Sequence, residues 1–274
     1  MSGLSNPGCV RSLNEDDFRI EPELGLMVVA DGMGGHNAGD VAAKIAVETI
    51  TAHVRDAIAS SAPAGASDAE SLLRDALTHA NSAILERARG KEQYKGMGTT
   101  VACLLLHGEQ ATIAHLGDSR AYRLATGKLR LLTRDHSLTQ EVRELGVIGE
   151  DAIAASHNRH LVSHALGREL QPPVAVHTVP CMPGDIFLLC TDGLNDMVDG
   201  LDLELALRVL RSNLPLAVDQ LIMIARDNGG FDNITATLAR VPSKDAPGAA
   251  PEGGDGSAIG RLRGWLRSLL GGGH

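Results

Sequence analysis

Residues 26–35 read LMVVADGMGG, an apolar run that ends in an acidic residue and a glycine-rich turn. The segment Leu26–Ala30 contains no polar position, and this pattern is typical of a strand buried on both faces. The turn after it contains too many glycines for a helix or a strand. The stretch therefore predicts that Asp31 stands at the end of a core strand, in a tight turn.

Three other aspartates occupy similar positions along the chain. Asp118 lies in the segment LGDSR, Asp192 follows an apolar run, and Asp232 precedes an alternating one. A fifth acidic cluster is Asn14-Glu15-Asp16. Carboxylates that are far apart in sequence converge where strand ends meet, and carboxylate oxygens are the ligands that Mg²⁺ and Mn²⁺ prefer. The sequence therefore predicts a site for hard cations.

The neighbours of these acids indicate phosphate chemistry. Gly32 has no side chain, so its carbonyl oxygen can approach a metal ion held by Asp31. An aspartate shared by two ions about 3.5–4 Å apart makes a two-metal hydrolase in which a bridging water is the nucleophile. Arg11, close before the acidic cluster, is suited to bidentate contact with a phosphate. The chain has no GxSxG, P-loop, HExxH or phospho-aspartate motif and no cysteine-phosphatase loop.

Length, composition and charge limit the possible domain organisation, partners and cellular location of the chain. The 274 residues suffice for one large domain or two small ones, and with 2% aromatic residues the core must be built from Ala, Val, Ile and Leu. A net charge of −9 argues against nucleic acid as a partner. The four cysteines have no metal-ligand spacing and are predicted to be reduced thiols. With no signal peptide or membrane-spanning run, we expect a cytoplasmic protein.

Periodicity predicts strands mixed with helices. A helix is expected from about Gly39, and a second from Ser67, where Glu70 completes a capping box. In the final segment, Ile234–Val241, apolar and polar residues alternate, which predicts a strand with one solvent-exposed face. Other strands are expected at 99–106, 111–116, 121–124, 129–132 and 186–191, and other helices at 202–210 and 214–226. Without regular βαβ alternation, this order predicts antiparallel sheets with helices packed outside.

The chain divides into three segments. Residues 1–241 are predicted to form the folded domain, with an excursion at about 137–175. Residues 242–257 are rich in Pro, Gly, Ala, Ser and acids and are predicted to be a flexible linker. Residues 258–274 are a short basic amphipathic tail. Two interpretations of this tail stay open: a helix that docks on the domain or frays, and a segment that binds a membrane surface or a partner.

Six ordered motifs resemble those of the type 2C metal-dependent Ser/Thr protein phosphatases, the PPM family. The resemblance covers residues 4–241, and the DGMGG form without long insertions is similar to the compact bacterial branch. The motifs are RSLNED at 11–16, ADGMGGH at 30–36, GMGTT at 96–100, GDSR at 117–120, TDGL at 191–194 and DNIT at 232–235.

The resemblance implies a fold and a set of metal ligands. The fold is α+β, a four-layer α-β-β-α sandwich in which helix pairs flank two antiparallel sheets, and segment 137–175 would be the family's flap. Asp31 would bridge two Mn²⁺ or Mg²⁺ ions, with the Gly32 carbonyl on one of them. The other implied ligands are Asp192 and Asp232 on the first ion, Glu15 and Asp16 on the second ion directly or through water, and Asp118 with Asp192 on a third ion.

The same resemblance implies an activity. A metal-bridging water would hydrolyse phosphoserine and phosphothreonine in proteins, reversing bacterial Ser/Thr kinase signalling, and Arg11 would contact the substrate phosphate. The partners would be phosphorylated proteins, with a cognate kinase and its substrates among them, and the chain would be a monomer.

Two residues depart from the family pattern. Animal members carry His directly after Asp-Gly as a candidate general acid, and Met33 stands at that position here. His36 or a metal-bound water is the alternative proton donor. His164 stands at the end of the flap, where the family often has Arg.

Two other functions stay open. Hydrolysis of small phosphoesters needs the same ligands as hydrolysis of phosphoproteins. A phosphatase-like regulatory module without catalysis is the other alternative, and the presence of every expected carboxylate argues against it.

Overall fold

The apolar run at residues 26–30 lies in strand β3 (Leu26–Met33), and its five side chains are fully buried, as predicted. The computed structural model describes residues 1–34, 38–145 and 162–242. Alternate side chains of β3 belong to two core clusters, one shared with helices and one shared with the opposite sheet. Each fully buried Leu, Val or Met contributes about 1.5–3 kcal/mol to the free energy of folding, so this strand anchors both layers.

Two antiparallel sheets form the centre of the unit that spans Met1–Val241. The five-strand sheet has the order β1-β11-β10-β7-β8, and the six-strand sheet has the order β2-β3-β5-β6-β9, with β4 paired to β3. The remaining strands are β1 (Ser2–Asn6), β2 (Asp16–Glu21), β4 (Gly98–Thr99), β5 (Val101–His107), β6 (Gln110–Leu116), β7 (Arg120–Ala125), β8 (Lys128–Leu131), β9 (Ala175–Pro180), β10 (Ile186–Cys190) and β11 (Ile234–Arg240).

Helices cover the outer faces of both sheets. The α-helices in the described part of the chain are α1 (Gly39–Ser60), α2 (Ala66–Ala88), α3 (Leu138–Leu145), α4 (Asp192–Asn195), α5 (Gly200–Val209) and α6 (Leu214–Asp227). Helices α1 and α2 pack on the six-strand sheet, α6 packs on β1 and β11, and α5 packs on α6 and β8. The predicted α+β, four-layer α-β-β-α sandwich is therefore confirmed.

The local predictions had mixed outcomes. Thr126 and Gly127 both have positive φ angles (49° and 78°), as in a type I′ turn, and they join the two predicted strands β7 and β8 in a hairpin. The predicted capping box at Ser67 is wrong, because α2 begins at Ala66 and its N-cap, Gly65, has no side chain to cap it.

The prediction that the last strand has a solvent-exposed face is also wrong. All side chains from Ile234 to Ala239 are buried. The reason is tertiary: α6 packs against β11, and strands of the opposite sheet also contact it. The threonines that made this strand look half-solvated are thus inside the protein.

Some predicted segments lie partly or wholly outside the described residues. The excursion at about 137–175 begins with Ser137 and α3, and an isolated bridge pairs Ser137 with Val162. Residues 146–161 and 243–274 are not described, so the linker and the amphipathic tail stay predictions. No helix in the described part of the chain is long and apolar enough to cross a membrane.

Candidate active site

The candidate site lies where the two sheets meet at one end. Asp16 begins β2 in the six-strand sheet and is the register partner of Asp31 on β3. Oδ2 of Asp16 accepts hydrogen bonds from the hydroxyls of Thr191, directly after β10, at 2.9 Å and of Thr235, on β11, at 2.6 Å. These two bonds connect the sheets at the acidic cluster.

Asp31 lies at the electrostatic centre of the cluster. Burial raises the pKa of its carboxyl well above the usual range, and repulsion from Asp192, Asp16, Asp118 and Asp232 raises it further. The five aspartates predicted from the sequence are therefore brought together, although they come from five separate segments of the chain.

Thr99 and Thr100, the last two residues of the GMGTT motif, hold the backbone of Asp31 in place. The Thr99 hydroxyl and the Thr100 backbone N–H both donate to the carbonyl oxygen of Asp31, at 2.8 and 2.9 Å. The Thr100 hydroxyl also shares a 2.6 Å hydrogen bond with the hydroxyl of Ser119, the residue after Asp118. Two of the predicted ligands are thus tied to the same buried threonine pair.

Two carboxylate oxygens in the cluster show how well the site fits a cation. Among the described residues, Oδ1 of Asp16 and Oδ1 of Asp118 are buried without a hydrogen-bond partner. Burial, with repulsion from Asp192, raises the pKa of Asp16 to about 7 and that of Asp118 to about 8. A divalent cation relieves both the missing partners and the like-charge repulsion. The donor set therefore fits Mn²⁺ or Mg²⁺.

The side chains of the cluster do not complete a coordination shell by themselves. Within residues 1–34, 38–145 and 162–242, no three His, Cys, Asp or Glu side chains are grouped so that they hold an ion by themselves. Mg²⁺ commonly takes one or two carboxylates and keeps several waters. A backbone carbonyl, such as the one predicted at Gly32, and water molecules would supply the other ligands.

Gly32 and Gly193 permit close approaches of the backbone. A Cβ on Gly32 would lie 2.1 Å from the carbonyl oxygen of Gly39 at the start of α1. A Cβ on Gly193 would lie 2.0 Å from the carbonyl oxygen of Asn233. The packing role of these glycines was not predicted, although each of them directly follows a predicted ligand, and that repetition was the available signal.

Arg11 lies at the rim of the cluster, where its side chain is 54% exposed. One guanidinium nitrogen donates to Oδ2 of Asp232 at 2.8 Å. This hydrogen bond and the charge of Asp232 raise the pKa of Arg11. Since a guanidinium has five N–H donors, others are left for a phosphate beside the aspartates.

Glu15 connects the cluster to helix α1. Its Oε1 accepts a 3.2 Å hydrogen bond from the backbone N–H of Gly39, at the helix end where a carboxylate is favoured. Its own N–H donates to Oδ1 of Asn233 at 2.8 Å. Glu15 as a ligand of the second ion stays a prediction. His36, the predicted proton donor, lies outside the described residues.

His136, directly before the flap, is hydrogen-bonded to Gly117 in the turn that carries Asp118. Nδ1 of His136 accepts a 3.2 Å hydrogen bond from the backbone N–H of Gly117, and burial lowers the pKa of His136 to about 4. The ring of His164 meets the His136 ring edge-on at 5.8 Å, and its Nδ1 lies 2.6 Å from Oε1 of Glu169. His164, which departs from the family's Arg, therefore contacts His136 directly before the flap and Glu169 within it.

Two cavities reach Asp192 and the neighbouring Asp196. The first, about 390 Å³, also borders Arg11 and Asp232 and has an apolar side formed by Met197 and Phe231. The second, about 410 Å³, borders Asp118 and residues of α3. The acidic cluster is thus accessible from both sides of the Asp192 turn.

Comparison with known proteins gives a consistent family. A sequence profile described as protein phosphatase 2C matches residues 10–217. The serine/threonine phosphatase stp of Listeria welshimeri is 36% identical over 234 residues, which are 84% of this chain and 91% of that protein. The serine/threonine protein phosphatase PstP of Mycobacterium tuberculosis is 34% identical over 242 residues, 88% of this chain and 45% of that protein.

Solved structures agree with the described fold. The Mycobacterium tuberculosis phosphatase PstP/Ppp superposes with a TM-score of 0.79 at 32% identity, covering 88% of this chain and 98% of that one. The serine/threonine phosphatase of S. agalactiae gives a TM-score of 0.80 at 30% identity with the same coverage. A structure of the PstP catalytic domain in complex with two manganese ions has a TM-score of 0.74 at 31% identity, covering 88% and 97%.

A sandwich of two antiparallel sheets with an acidic cluster at one end defines a class of metal-dependent hydrolase. With the profile and the relatives above, the chain belongs to the protein phosphatase 2C family. The predicted family, the fold class and the prediction of a metal-dependent protein serine/threonine phosphatase are confirmed.

Proposed function

We propose that the acidic cluster is a dinuclear Mn²⁺ or Mg²⁺ centre that hydrolyses phosphoserine and phosphothreonine in proteins. The observation that carries this proposal is the convergence of four aspartates on Asp31, with buried oxygens of Asp16 and Asp118 that have no hydrogen-bond partner among the described residues. In this proposal both ions would share Asp31, because the pKa of its carboxyl is raised by repulsion from each of the other four aspartates of the cluster. Asp192 and Asp232 would hold the first ion, and Asp118 with Asp192 would hold a third.

The protein groups around the cluster have distinct tasks. When bound, the ions would act as Lewis acids on the phosphoryl group and make water a nucleophile at neutral pH. Arg11 binds phosphate oxygens at the rim and neutralises charge as it develops. Thr191 and Thr235 keep Oδ2 of Asp16 occupied, which directs its Oδ1 to the cluster. His36 stays the candidate donor of a proton to the departing serine or threonine oxygen.

The substrate class follows from the family and from the shape of the site. The relatives at 34–36% identity are named serine/threonine phosphatases. The cavity beside Arg11 and Asp232 is an open cleft of about 390 Å³, large enough for a phosphorylated side chain that stays attached to a polypeptide. We propose that the substrates are targets of a bacterial Ser/Thr kinase, with the kinase itself among them, and that the chain acts as a monomer.

Phosphate release tests this function. A phosphothreonine peptide and p-nitrophenyl phosphate are each incubated with the full chain in EDTA, Mg²⁺ or Mn²⁺. Metal-dependent release from the peptide is expected. Release from the ester alone would instead indicate a small-molecule phosphohydrolase, and no release with any metal would indicate a regulatory module.

A further inference from the structure

Phe231 is unusual among the aromatic residues of this chain. The sequence has only six Phe, Tyr and Trp residues. Of those that the structure describes, Phe231 is the one with an exposed ring, at 61% of its full accessible surface, whereas Phe187 and Tyr122 are buried. An exposed ring is common on a protein surface by itself, so its position decides whether it has a task.

The position of Phe231 is fixed from both sides. Cys9 N–H donates to the carbonyl oxygen of Gly230 at 2.7 Å, and Asp232 binds Arg11 at 2.8 Å. The ring lies close over Gly229, where a Cβ would stand 2.7 Å from the ring atom Cε2. The segment is therefore held on either side of Phe231, and part of the ring lies close to Gly229 while most of the residue's surface stays open to solvent.

This ring lines the same cavity as the phosphate-binding groups. The cavity of about 390 Å³ has Arg11, Asp192 and Asp232 on its polar part and Phe231 with Met197 on its apolar part. A phosphorylated residue needs the polar part. The polypeptide that carries it must then extend past the rim, where an apolar side chain can cover the exposed ring.

We infer that Phe231, supported by Met197, binds an apolar side chain adjacent to the phosphorylated residue and gives the enzyme a preference for such substrates. The inference rests on the proposed function. Phe231 does not touch the reacting phosphorus in this account; it positions the peptide and determines specificity. Its contribution comes from the removal of apolar surface from water, which is independent of the charge of the phosphate.

The test compares two phosphothreonine peptides that differ only in the residues on either side of the phosphothreonine, Leu in one and Ser in the other. We expect the full chain with Mn²⁺ to have a kcat/KM about tenfold higher for the Leu peptide, the effect of burying roughly 55 Å² of apolar surface. In Phe231→Ala this ratio should fall to within about twofold of unity, chiefly through KM. Phe231→Leu should keep most of the preference, because it keeps an apolar surface at the rim.

Leu201→Ala is the matched control. Leu201 is also an exposed apolar side chain, at 77%, but it borders a different cavity that contains none of the site residues. Its ratio should equal that of the unmodified chain. The inference is overturned if the unmodified chain shows no preference, or if Phe231→Ala keeps it.

The two proposals fail in different ways. If p-nitrophenyl phosphate is hydrolysed while both peptides are untouched, the proposed function fails and the inference falls with it. If both peptides are hydrolysed equally well by every variant, the proposed function stands and only the role of Phe231 is wrong.

Discussion

The Thr235 hydroxyl donates a 2.6 Å hydrogen bond to Oδ2 of Asp16, and this bond crosses from the five-strand sheet to the six-strand sheet. Thr191 makes the second bond to the same oxygen. The other oxygen of Asp16 is buried and has no hydrogen-bond partner in the part of the chain that the structure describes. The hydrogen bonds that connect the two sheets therefore also hold Asp16 in the acidic cluster.

Thr235→Val should weaken metal binding while the domain stays folded. Valine keeps the shape of the side chain but removes the donor to a buried carboxylate, and loss of a partner that orients a metal ligand typically costs about 10–100-fold in affinity or activity. The measurement is the Mn²⁺ concentration that gives half-maximal phosphate release.

Thr237→Val is the matched control for this experiment. Thr237 lies on the same strand and is buried, but among the described residues its hydroxyl has no hydrogen-bond partner. Its replacement should leave the Mn²⁺ requirement unchanged and raise the free energy of unfolding by about 1 kcal/mol, because an unsatisfied buried hydroxyl is removed. Equal effects of both variants would show that Thr235 acts only through packing.

Much of this arrangement could be predicted from the sequence. Asp31, Asp118, Asp192 and Asp232 each adjoin an apolar run, and the runs locate the strands without tertiary information. The contacts of Thr235 could not be predicted in that way. Its alternation with apolar residues suggested a solvated face, whereas the burial of β11 depends on α6 and the opposite sheet.

The edge strands β1 and β2 also could not be predicted from the local sequence pattern. Strand β1 has the sequence SGLSN and strand β2 has DDFRIE, and most of their side chains are only half-buried. Neither has the long apolar run that identified β3. Their position depends on pairing with β11 and β3, and such long-range pairing leaves little trace in a single short segment.

Gly193→Ala should destabilise the domain and impair the site. The added Cβ would lie 2.0 Å from the carbonyl oxygen of Asn233, so the backbone after Asp192 must move away from the segment that carries Asp232. We expect a loss of about 1–3 kcal/mol in the free energy of unfolding. Thermal unfolding should therefore show a lower Tm by several degrees, with reduced phosphate release.

Gly200→Ala tests whether this effect is specific. Gly200 begins α5, and a Cβ there would meet no atom within 4 Å. Its Tm should be unchanged or slightly higher, since alanine restricts the unfolded chain. A fall in Tm as large as that of Gly193→Ala would contradict the proposed reason.

Asp192→Ala should lower kcat/KM for a phosphopeptide at least about 100-fold, because in the proposed centre Asp192 would be a ligand of both the first and the third ion. The fold should persist, since Asp192 is the first residue of α4, directly after Thr191, and its removal opens no cavity in the apolar core. Circular dichroism and thermal unfolding in EDTA check the fold. Undiminished activity, or a chain unfolded at room temperature, would count against the assignment.

The metal-free domain should become less stable as the pH rises. Asp16 and Asp118 have folded-state pKa values of about 7 and about 8, above the ordinary value of 3.8. The folded domain therefore binds more protons than the unfolded chain between these limits. The stabilisation is fully present below about pH 4, decreases as the pH rises through the folded-state pKa values of about 7 and about 8, and is lost above them.

Thermal unfolding in EDTA from pH 5 to 8.5 measures this dependence. Asp118→Asn removes one of the two titrating groups, so its Tm should fall less steeply with pH than that of the unmodified chain. Saturating Mn²⁺ should stabilise more at pH 8 than at pH 5, since the ion binds the deprotonated carboxylates. Parallel pH curves for the two proteins in EDTA would show that Asp118 does not titrate in this range.

The number of Mn²⁺ ions bound per chain tests the central claim most directly. Isothermal titration, supported by metal analysis after gel filtration, should give at least two ions for the full chain at neutral pH. Asp31→Asn should lose both of the tightly bound ions, because the bridging carboxylate is gone, while thermal unfolding in EDTA shows a folded domain. Two ions retained by Asp31→Asn, or fewer than two bound by the unmodified chain, would contradict a dinuclear centre bridged by Asp31.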